Sequence, residues 1–145
     1  MPYHSMSDAE VRAFLVGTPP HTAKLATVRA DGRPHVAPVW YVVDDDGTIV
    51  FNTSETTVKG RNLRRDPRAS ICVDDERPPF GFVLVDGVVE LSDDPQELRQ
   101  WATRIGGRYM GEDRAEEYGA RNGVAGELVA RLRPTRIVSA SDLAD

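Results

Sequence analysis

The sequence contains only one cysteine, Cys72, so no internal disulfide can form. Cys72 lies in the apolar run SICVD. A cysteine in such surroundings is usually a buried and unreactive thiol, because burial disfavours the thiolate. We therefore expect Cys72 to be buried and to take no part in catalysis.

The sequence is also poor in catalytic motifs. The three histidines, His4, His21 and His35, are scattered and lack the spacing of metal ligands, so no metal site is predicted. There is no G-x-S-x-G nucleophile elbow and no Walker loop. The adjacent acids Asp93 and Asp94 precede a predicted helix, where capping explains them without catalysis. We name no catalytic side chain, and an enzyme with so few reactive groups would depend on an organic cofactor.

Long apolar runs are absent as well. None approaches the roughly 20 residues that a helix needs to cross a bilayer, so no membrane span is expected. The N-terminal segment lacks the apolar core of a signal peptide, and we expect a cytoplasmic protein. The net charge of −5 does not favour nucleic acid as a partner. With 145 residues and an apolar fraction of 40%, residues 1–145 are expected to form one domain.

Apolar and β-branched residues between Asp-Gly turns predict an antiparallel sheet. The predicted strands cover residues 22–29, 34–43, 48–53, 69–74, 81–91 and 127–132, with 136–139 continuing the last one beyond Pro134. Pro38 indicates an edge position or a bulge in the second strand, and Asp86-Gly87 indicates a bulge in the fifth. Such a pattern favours a barrel or a sandwich. We predict a mainly β protein, a six-stranded antiparallel barrel with a few short flanking helices.

Three segments outside these strands carry helix signals. Ser7 and Glu10 form a capping box at the start of a short helix. Ser92 or Asp94 can cap another helix, in which apolar residues repeat at helical spacing. The polar segment 112–122 is predicted to be either a further helical piece or a mobile loop.

The stretch 51–68, FNTSETTVKGRNLRRDPR, joins hydroxyl-bearing residues to a basic helix predicted over about residues 57–66. Within ten residues it has five cations against one anion, Asp66. The cations are Lys59, Arg61, Arg64, Arg65 and Arg68. Short hydroxyls, free backbone N–H groups at a helix start and a nearby lysine are groups that bind phosphate. The candidate phosphate ligands are Thr53, Ser54, Thr57 and Lys59.

Two other interpretations of this stretch stay open. It can be a solvated amphipathic helix anchored by Leu63 alone, or a basic patch for nucleic acid. No aromatic residues are interleaved with the cations, which weakens the nucleic-acid interpretation. A phosphate ligand accounts for more of the residues than either alternative.

Four motifs carry a family likeness: G-R-P-H-V-x-P-V-W-Y (32–41), F-N-T-S (51–54), K-x-R-N-L-R-R-D-P-R-A-S (59–70) and V-D-G-V-V-E-L (85–91). They resemble the split β-barrel flavin and deazaflavin oxidoreductases related to pyridoxamine 5′-phosphate oxidase. The similarity covers roughly residues 8–140. Within this group the chain looks most like the branch that uses the 5-deazaflavin coenzyme F-420.

The resemblance implies a split barrel and a homodimer with two cofactor sites at the subunit interface. It implies that a cofactor phosphate is held by Thr53, Ser54, Thr57 and Lys59. It implies that the cofactor ring lies against the second strand near Pro38, Val39 and Trp40. Asn62 also matches the family pattern, either as a cofactor residue or as a support of the helix. Some relatives carry arginine where this chain has Thr57, and Arg61 or Arg65 is then the candidate cation for an anionic polyglutamate tail.

The function implied by the resemblance is hydride transfer between reduced coenzyme F-420 and a small-molecule acceptor. The acceptor would be an electron-poor conjugated compound such as a quinone, an enone or a tetrapyrrole. One alternative is an FMN-binding oxidoreductase of the same fold. The other is a non-catalytic carrier of a flavin, a deazaflavin or heme.

Overall fold

Alternating apolar residues and tight turns fold most of the chain into one curled sheet. The computed structural model describes residues 4–144. Its helices are α1 (Asp8–Leu15), α2 (Val58–Arg65), α3 (Pro95–Met110) and α4 (Ala115–Asn122), with a 3-10 turn at Glu112–Arg114. Its strands are β1 (Ala23–Val28), β2 (Pro34–Val39), β3 (Val42–Val43), β4 (Ile49–Ser54), β5 (Arg68–Asp75), β6 (Gly81–Ser92) and β7 (Glu127–Ala140).

The strand order is β2-β1-β5-β6-β7-β4-β3, and all neighbouring strands are antiparallel. The two end strands, β2 and β3, are separated in sequence only by Trp40 and Tyr41. Because successive Cα atoms lie about 3.8 Å apart, so short a link brings the two edges of the sheet close together. The protein is therefore mainly β, with the split β-barrel that the sequence predicts.

The number of strands needs a correction at Trp40 and Tyr41. One strand was expected over residues 34–43, whereas the structure has β2 and β3 on either side of a bend. The Tyr41 backbone leaves the sheet because side chains of α3 satisfy it. Its N–H donates to the Tyr109 hydroxyl at 3.2 Å, and its carbonyl accepts from Arg108 Nη1 at 2.6 Å.

Apolar side chains fill the barrel and a second layer outside it. The interior is closed by α1 and α2, which contribute Val11, Leu15 and Leu63. Leu63 is 2% exposed, in agreement with its expected role as the anchor of α2. Outside the barrel, α3 packs onto the outer face of β3, β4 and β7. The buried residues of this outer cluster are Val42, Val50, Leu98, Trp101, Ile105 and Val129.

Several local predictions are confirmed. Ser7 and Glu10 form the capping box of α1, and Asp94 caps α3. β6 has its bulge between Asp86 and Gly87. A Cβ atom on Gly87 would overlap a backbone carbonyl oxygen of β7, so this close approach of two strands requires glycine.

Two alternatives that the sequence left open in the second half of the chain are decided by the structure. Segment 112–122 is helical rather than a loop, and β7 continues through Pro134. Among the helices of residues 4–144, none has the length and apolar character needed to cross a membrane.

Cys72 is half-buried instead of lying in the core. Its neighbours on β5, Ile71 and Val73, fill the barrel interior, so strand alternation directs Cys72 to the outer face. Partial burial still raises the pKa of the Cys72 thiol, which keeps it protonated and unreactive.

Candidate cofactor site

The candidate site lies where β4 ends and α2 begins. β4 ends at Ser54, and Thr57 is the N-cap of α2, with its hydroxyl accepting from the Gly60 N–H at 3.2 Å. The backbone N–H groups of Val58 and Lys59 have no hydrogen-bond partner among the residues that the structure describes. Free N–H groups in the first turn of a helix attract anions. The start of α2 therefore offers two backbone donors to a phosphate.

The Thr57 hydroxyl is fully engaged within this turn. It donates to the Ser54 carbonyl oxygen at 2.8 Å and accepts from Gly60. Thr53 Oγ1 lies 3.1 Å from Thr57 Oγ1 and donates to it, because the Thr57 proton is already committed. A hydroxyl has one donor and two acceptor positions, so Thr57 has none left for a ligand. Thr53 is only 3% exposed. In this arrangement both threonines shape the turn.

Ser54 points to the other face of β4. Strand alternation places Thr53 towards the barrel interior and Ser54 on the outer face, where it is half-buried. Its hydroxyl lies 2.9 Å from Thr56 Oγ1 and accepts from the Thr56 N–H at 3.3 Å. Ser54 is thus the β4 hydroxyl on the outer face, whereas Thr53 faces the interior.

The five cations of the stretch differ in what they contact. Arg64 and Arg68 form ion pairs with neighbouring carboxylates at 3.4 Å and 2.8 Å. Arg65 donates to a backbone carbonyl of β1. Lys59 and Arg61 form no ion pair and no side-chain hydrogen bond with any residue in the described part of the chain. These two cations are therefore the ones available to an anionic ligand.

Asn62 lies deeper than the other candidates. It is 3% exposed, and its Nδ2 donates to Thr27 Oγ1 at 3.0 Å. Its Oδ1 accepts from Arg65 at 3.4 Å. The side chain thus ties α2 to β1, which fits support of the helix, the second of the two roles considered for it.

The predicted ring-binding residues lie at the end of β2. Pro38 is exposed on the outer face, Val39 is 7% exposed, and Trp40 is half-buried. The Trp40 ring stacks on Tyr109, with centroids 5.0 Å apart and planes 3° apart. Trp40 also packs against the outer cluster beneath α3. It is therefore held on the same outer face to which Ser54 belongs.

Asn52 is a residue that the sequence analysis did not single out. Its Nδ2 is buried and has no hydrogen-bond partner among residues 4–144. Alternation along β4 puts Asn52 between Val50 and Ser54 on the outer face, and Val50 belongs to the cluster that Trp40 borders. A buried, unpaired amide is costly, so it marks a position where the acceptor atom of a ligand would fit. The F-N-T-S motif contains Asn52, but its burial depends on the fold.

Glu127 brings a carboxylate to the same place. It is the cross-strand partner of Ser54 on β7. Burial raises the pKa of Glu127, against the opposing effects of the Lys59 ammonium and the Ser54 hydroxyl, which favour its charged form. The outer face of β4 thus ends in one cation, one hydroxyl and one carboxylate.

The curled antiparallel sheet with a helix directly after β4 defines the chain as a split β-barrel protein. A family profile described as pyridoxamine 5′-phosphate oxidase matches residues 7–138. The chain therefore belongs to the pyridoxamine 5′-phosphate oxidase family, an oxidoreductase family.

A curated relative has a longer chain. The pyridoxine/pyridoxamine 5′-phosphate oxidase of Burkholderia multivorans is 34% identical over 101 residues, which are 68% of this chain and 45% of that protein. This chain thus matches about half the length of that relative.

Two solved structures match more of the chain. A conserved hypothetical protein of Mycobacterium tuberculosis is 30% identical with a TM-score of 0.82, covering 94% of this chain and 86% of that one. An F-420 reductase is 28% identical with a TM-score of 0.66, covering 81% of this chain and 89% of that one.

Proposed function

We propose that the protein is an oxidoreductase that binds the deazaflavin coenzyme F-420. It transfers a hydride between the reduced coenzyme and an electron-poor conjugated acceptor of quinone, enone or tetrapyrrole type. The observation that carries the proposal is the start of α2, where Lys59 and two free backbone N–H groups adjoin Ser54. The likeness to an F-420 reductase supports the choice of coenzyme.

The phosphate of the coenzyme is assigned to Lys59, Ser54 and the free N–H groups. A charged hydrogen bond from Lys59 and two amide donors would compensate a phosphodiester without further cations. Thr53 and Thr57 contribute indirectly, since their hydroxyls fix the turn that presents these donors. Asn62 contributes in the same way by holding α2 against β1.

The ring of the coenzyme is assigned to the outer face between β4 and the end of β2. Asn52 and Ser54 are two residues apart on one face, a distance of about 6.6–6.8 Å along a strand. A coenzyme with its phosphate at Ser54 can therefore extend along β4 towards Asn52. Its ring would then meet the end of β2 at Pro38, at the backbone of Val39, whose side chain packs into the barrel interior, and at Trp40. The unpaired Asn52 amide could donate there to a ring carbonyl oxygen.

The anionic tail is assigned to Arg61. This arginine lies two residues beyond Lys59 and has no side-chain partner in the described chain. Arg65, the other candidate, is committed to β1. Some relatives have an arginine at the position of Thr57, and in this chain Arg61 would supply that positive charge instead.

When bound, coenzyme F-420 would supply the hydride, because carbon in place of the central flavin nitrogen disfavours one-electron and oxygen chemistry. The chain supplies position. The stack of Trp40 on Tyr109 and the rigid β4 surface hold one wall of the site, which keeps the reacting atoms in a fixed orientation. These apolar side chains would also exclude water from the site, so that water does not occupy the position of the acceptor.

We further propose a homodimer with the cofactor sites at the subunit interface. α3 covers the outer face of β3, β4 and β7 at Val42, Val50 and Val129, but in residues 4–144 no helix packs over the outer face of β2 and β1. Val36 is 66% exposed there and Val138 on β7 is 37% exposed. We infer the contact from the uncovered sheet face, on which these two apolar side chains are exposed. Pro38 lies on the same face, so a second copy would adjoin the ring position. Sedimentation velocity should give a dimer.

A fluorescence titration with coenzyme F-420 and with FMN tests the choice of cofactor. F-420 is expected to bind with a Kd of about micromolar and FMN more weakly. Reduced F-420 should then be oxidised on addition of a quinone or an enone. Tight FMN binding with no response to F-420 would contradict the proposal.

The second candidate is an FMN-dependent oxidoreductase, which the family and the Burkholderia relative favour. Such a protein should purify yellow and exchange with free FMN. A carrier, the third hypothesis, would bind a cofactor but show no turnover with any acceptor.

A further inference from the structure

We propose that Glu127 makes the site selective for a singly charged phosphodiester over a doubly charged phosphate monoester. The inference rests on the proposed function, since it concerns the phosphate position of that site. Coenzyme F-420 carries its phosphate as a diester with one negative charge. FMN ends in a monoester whose charge is about −1.5 to −2 near neutral pH.

The position of Glu127 follows from the pairing of β4 with β7. Glu127 is the first residue of β7 and lies directly opposite Ser54, the last residue of β4. One step beyond, the Glu55 N–H donates to the Gly126 carbonyl at 2.9 Å, which fixes the register at this end. Directly opposed side chains have Cβ atoms about 4.5–5.5 Å apart on the same face. The carboxylate therefore adjoins the hydroxyl assigned to the phosphate.

The charges around this position limit what it can accept. Burial raises the pKa of Glu127, and Lys59 from α2 and Ser54 from β4 oppose this shift by favouring the ionised form. Lys59 forms no ion pair with Glu127 or any other carboxylate among the described residues. The Lys59 ammonium therefore acts electrostatically on both the Glu127 carboxylate and a bound phosphate. Each negative charge on the ligand is repelled by Glu127, so the repulsion is larger for a dianion than for a monoanion.

The expected effect of Glu127 on affinity follows from Coulomb's law, because the repulsion is proportional to the charge of the ligand. Removing the carboxylate should therefore tighten binding of a dianion by the square of the factor for a monoanion. For a half-buried site we expect Glu127→Gln to tighten F-420 about threefold and FMN about tenfold.

The test compares wild type, Glu127→Gln and Glu90→Gln in fluorescence titrations with F-420 and FMN. Glu90 is the matched control, because it is an exposed glutamate on β6 that pairs with Arg133 at 3.1 Å, away from the start of α2. Circular dichroism verifies that each variant is folded. The ratio of the FMN Kd to the F-420 Kd should fall about threefold in Glu127→Gln and stay unchanged in Glu90→Gln.

Three results would overturn the inference: equal changes for both ligands, no change for either, or the same response in Glu90→Gln. Its failure is distinguishable from failure of the proposed function. If wild type binds F-420 and Glu127→Gln leaves the ratio unchanged, only the charge selection by Glu127 is wrong. If wild type binds neither ligand, the cofactor assignment itself is wrong.

Discussion

A substitution of Thr57 can distinguish a structural role of this residue from a role in ligand binding. Thr57→Ala removes the hydroxyl that accepts from Gly60, donates to the Ser54 carbonyl and accepts from Thr53. Loss of an N-cap costs about 0.5–2 kcal/mol. Leaving the buried Thr53 hydroxyl without its partner adds about 1 kcal/mol. We therefore expect Thr57→Ala to lower the free energy of unfolding by about 1.5–3 kcal/mol, measured by urea denaturation followed by tryptophan fluorescence.

Thr57→Ser is the matched control, because it keeps the hydroxyl and loses only a methyl group. It should retain most of the stability and bind F-420 with a Kd within about twofold of wild type. An unfolding free energy of Thr57→Ala within about 0.5 kcal/mol of wild type would refute the assignment of Thr57 to the turn. The same conclusion would follow if Thr57→Ala kept its stability and lost the coenzyme.

Three further predictions concern single residues. Asn52→Ala should weaken F-420 binding by about 0.5–1.5 kcal/mol in a titration without lowering the free energy of unfolding, because its buried amide has no partner to lose in the described chain; a large loss of stability would contradict this. Gly87→Ala should cost about 1–3 kcal/mol in urea denaturation, because its Cβ would overlap a carbonyl of β7; a neutral effect would show that the strands can separate. Hydrogen bonds from Ser92 and then Arg131 lower the pKa of Glu97 from 4.5, so its stabilisation is present near neutral pH and is lost as the pH falls through the folded-state pKa. Glu97→Gln should therefore cost at most about 1 kcal/mol near neutral pH and almost nothing in acid, and a cost that persists in acid would contradict the charge argument.

The strands were predictable because their signals are local. The signals that predict strands and helices act over a few positions: alternation of apolar residues, Asp-Gly turns and capping residues. The glycine in Asp86-Gly87 likewise predicts the bulge that β6 has there. The bend at Trp40 and Tyr41 was not predictable in this way. Its backbone partners, Arg108 and Tyr109, lie on α3, so only the tertiary structure places them there.

In the candidate site, too, only the local features are predictable from the sequence. Ser54, Thr57 and Lys59 are close in sequence, and their proximity at one helix start follows from it. The directions of the hydroxyls do not, because they depend on which face of β4 is buried. The burial of the Asn52 amide is not predictable either, because a polar residue in a strand is expected at the surface.

The assignment of the phosphate to Lys59 is the central claim, and one pair of titrations tests it most directly. Lys59→Ala and Arg64→Ala each remove one cation from α2, but Arg64 already pairs with Glu55 at 3.4 Å. Lys59→Ala should weaken F-420 binding by about 1–3 kcal/mol, as for a charged hydrogen bond, and Arg64→Ala should leave the Kd almost unchanged. An unchanged Kd for Lys59→Ala, or equal losses in both variants, would contradict the account.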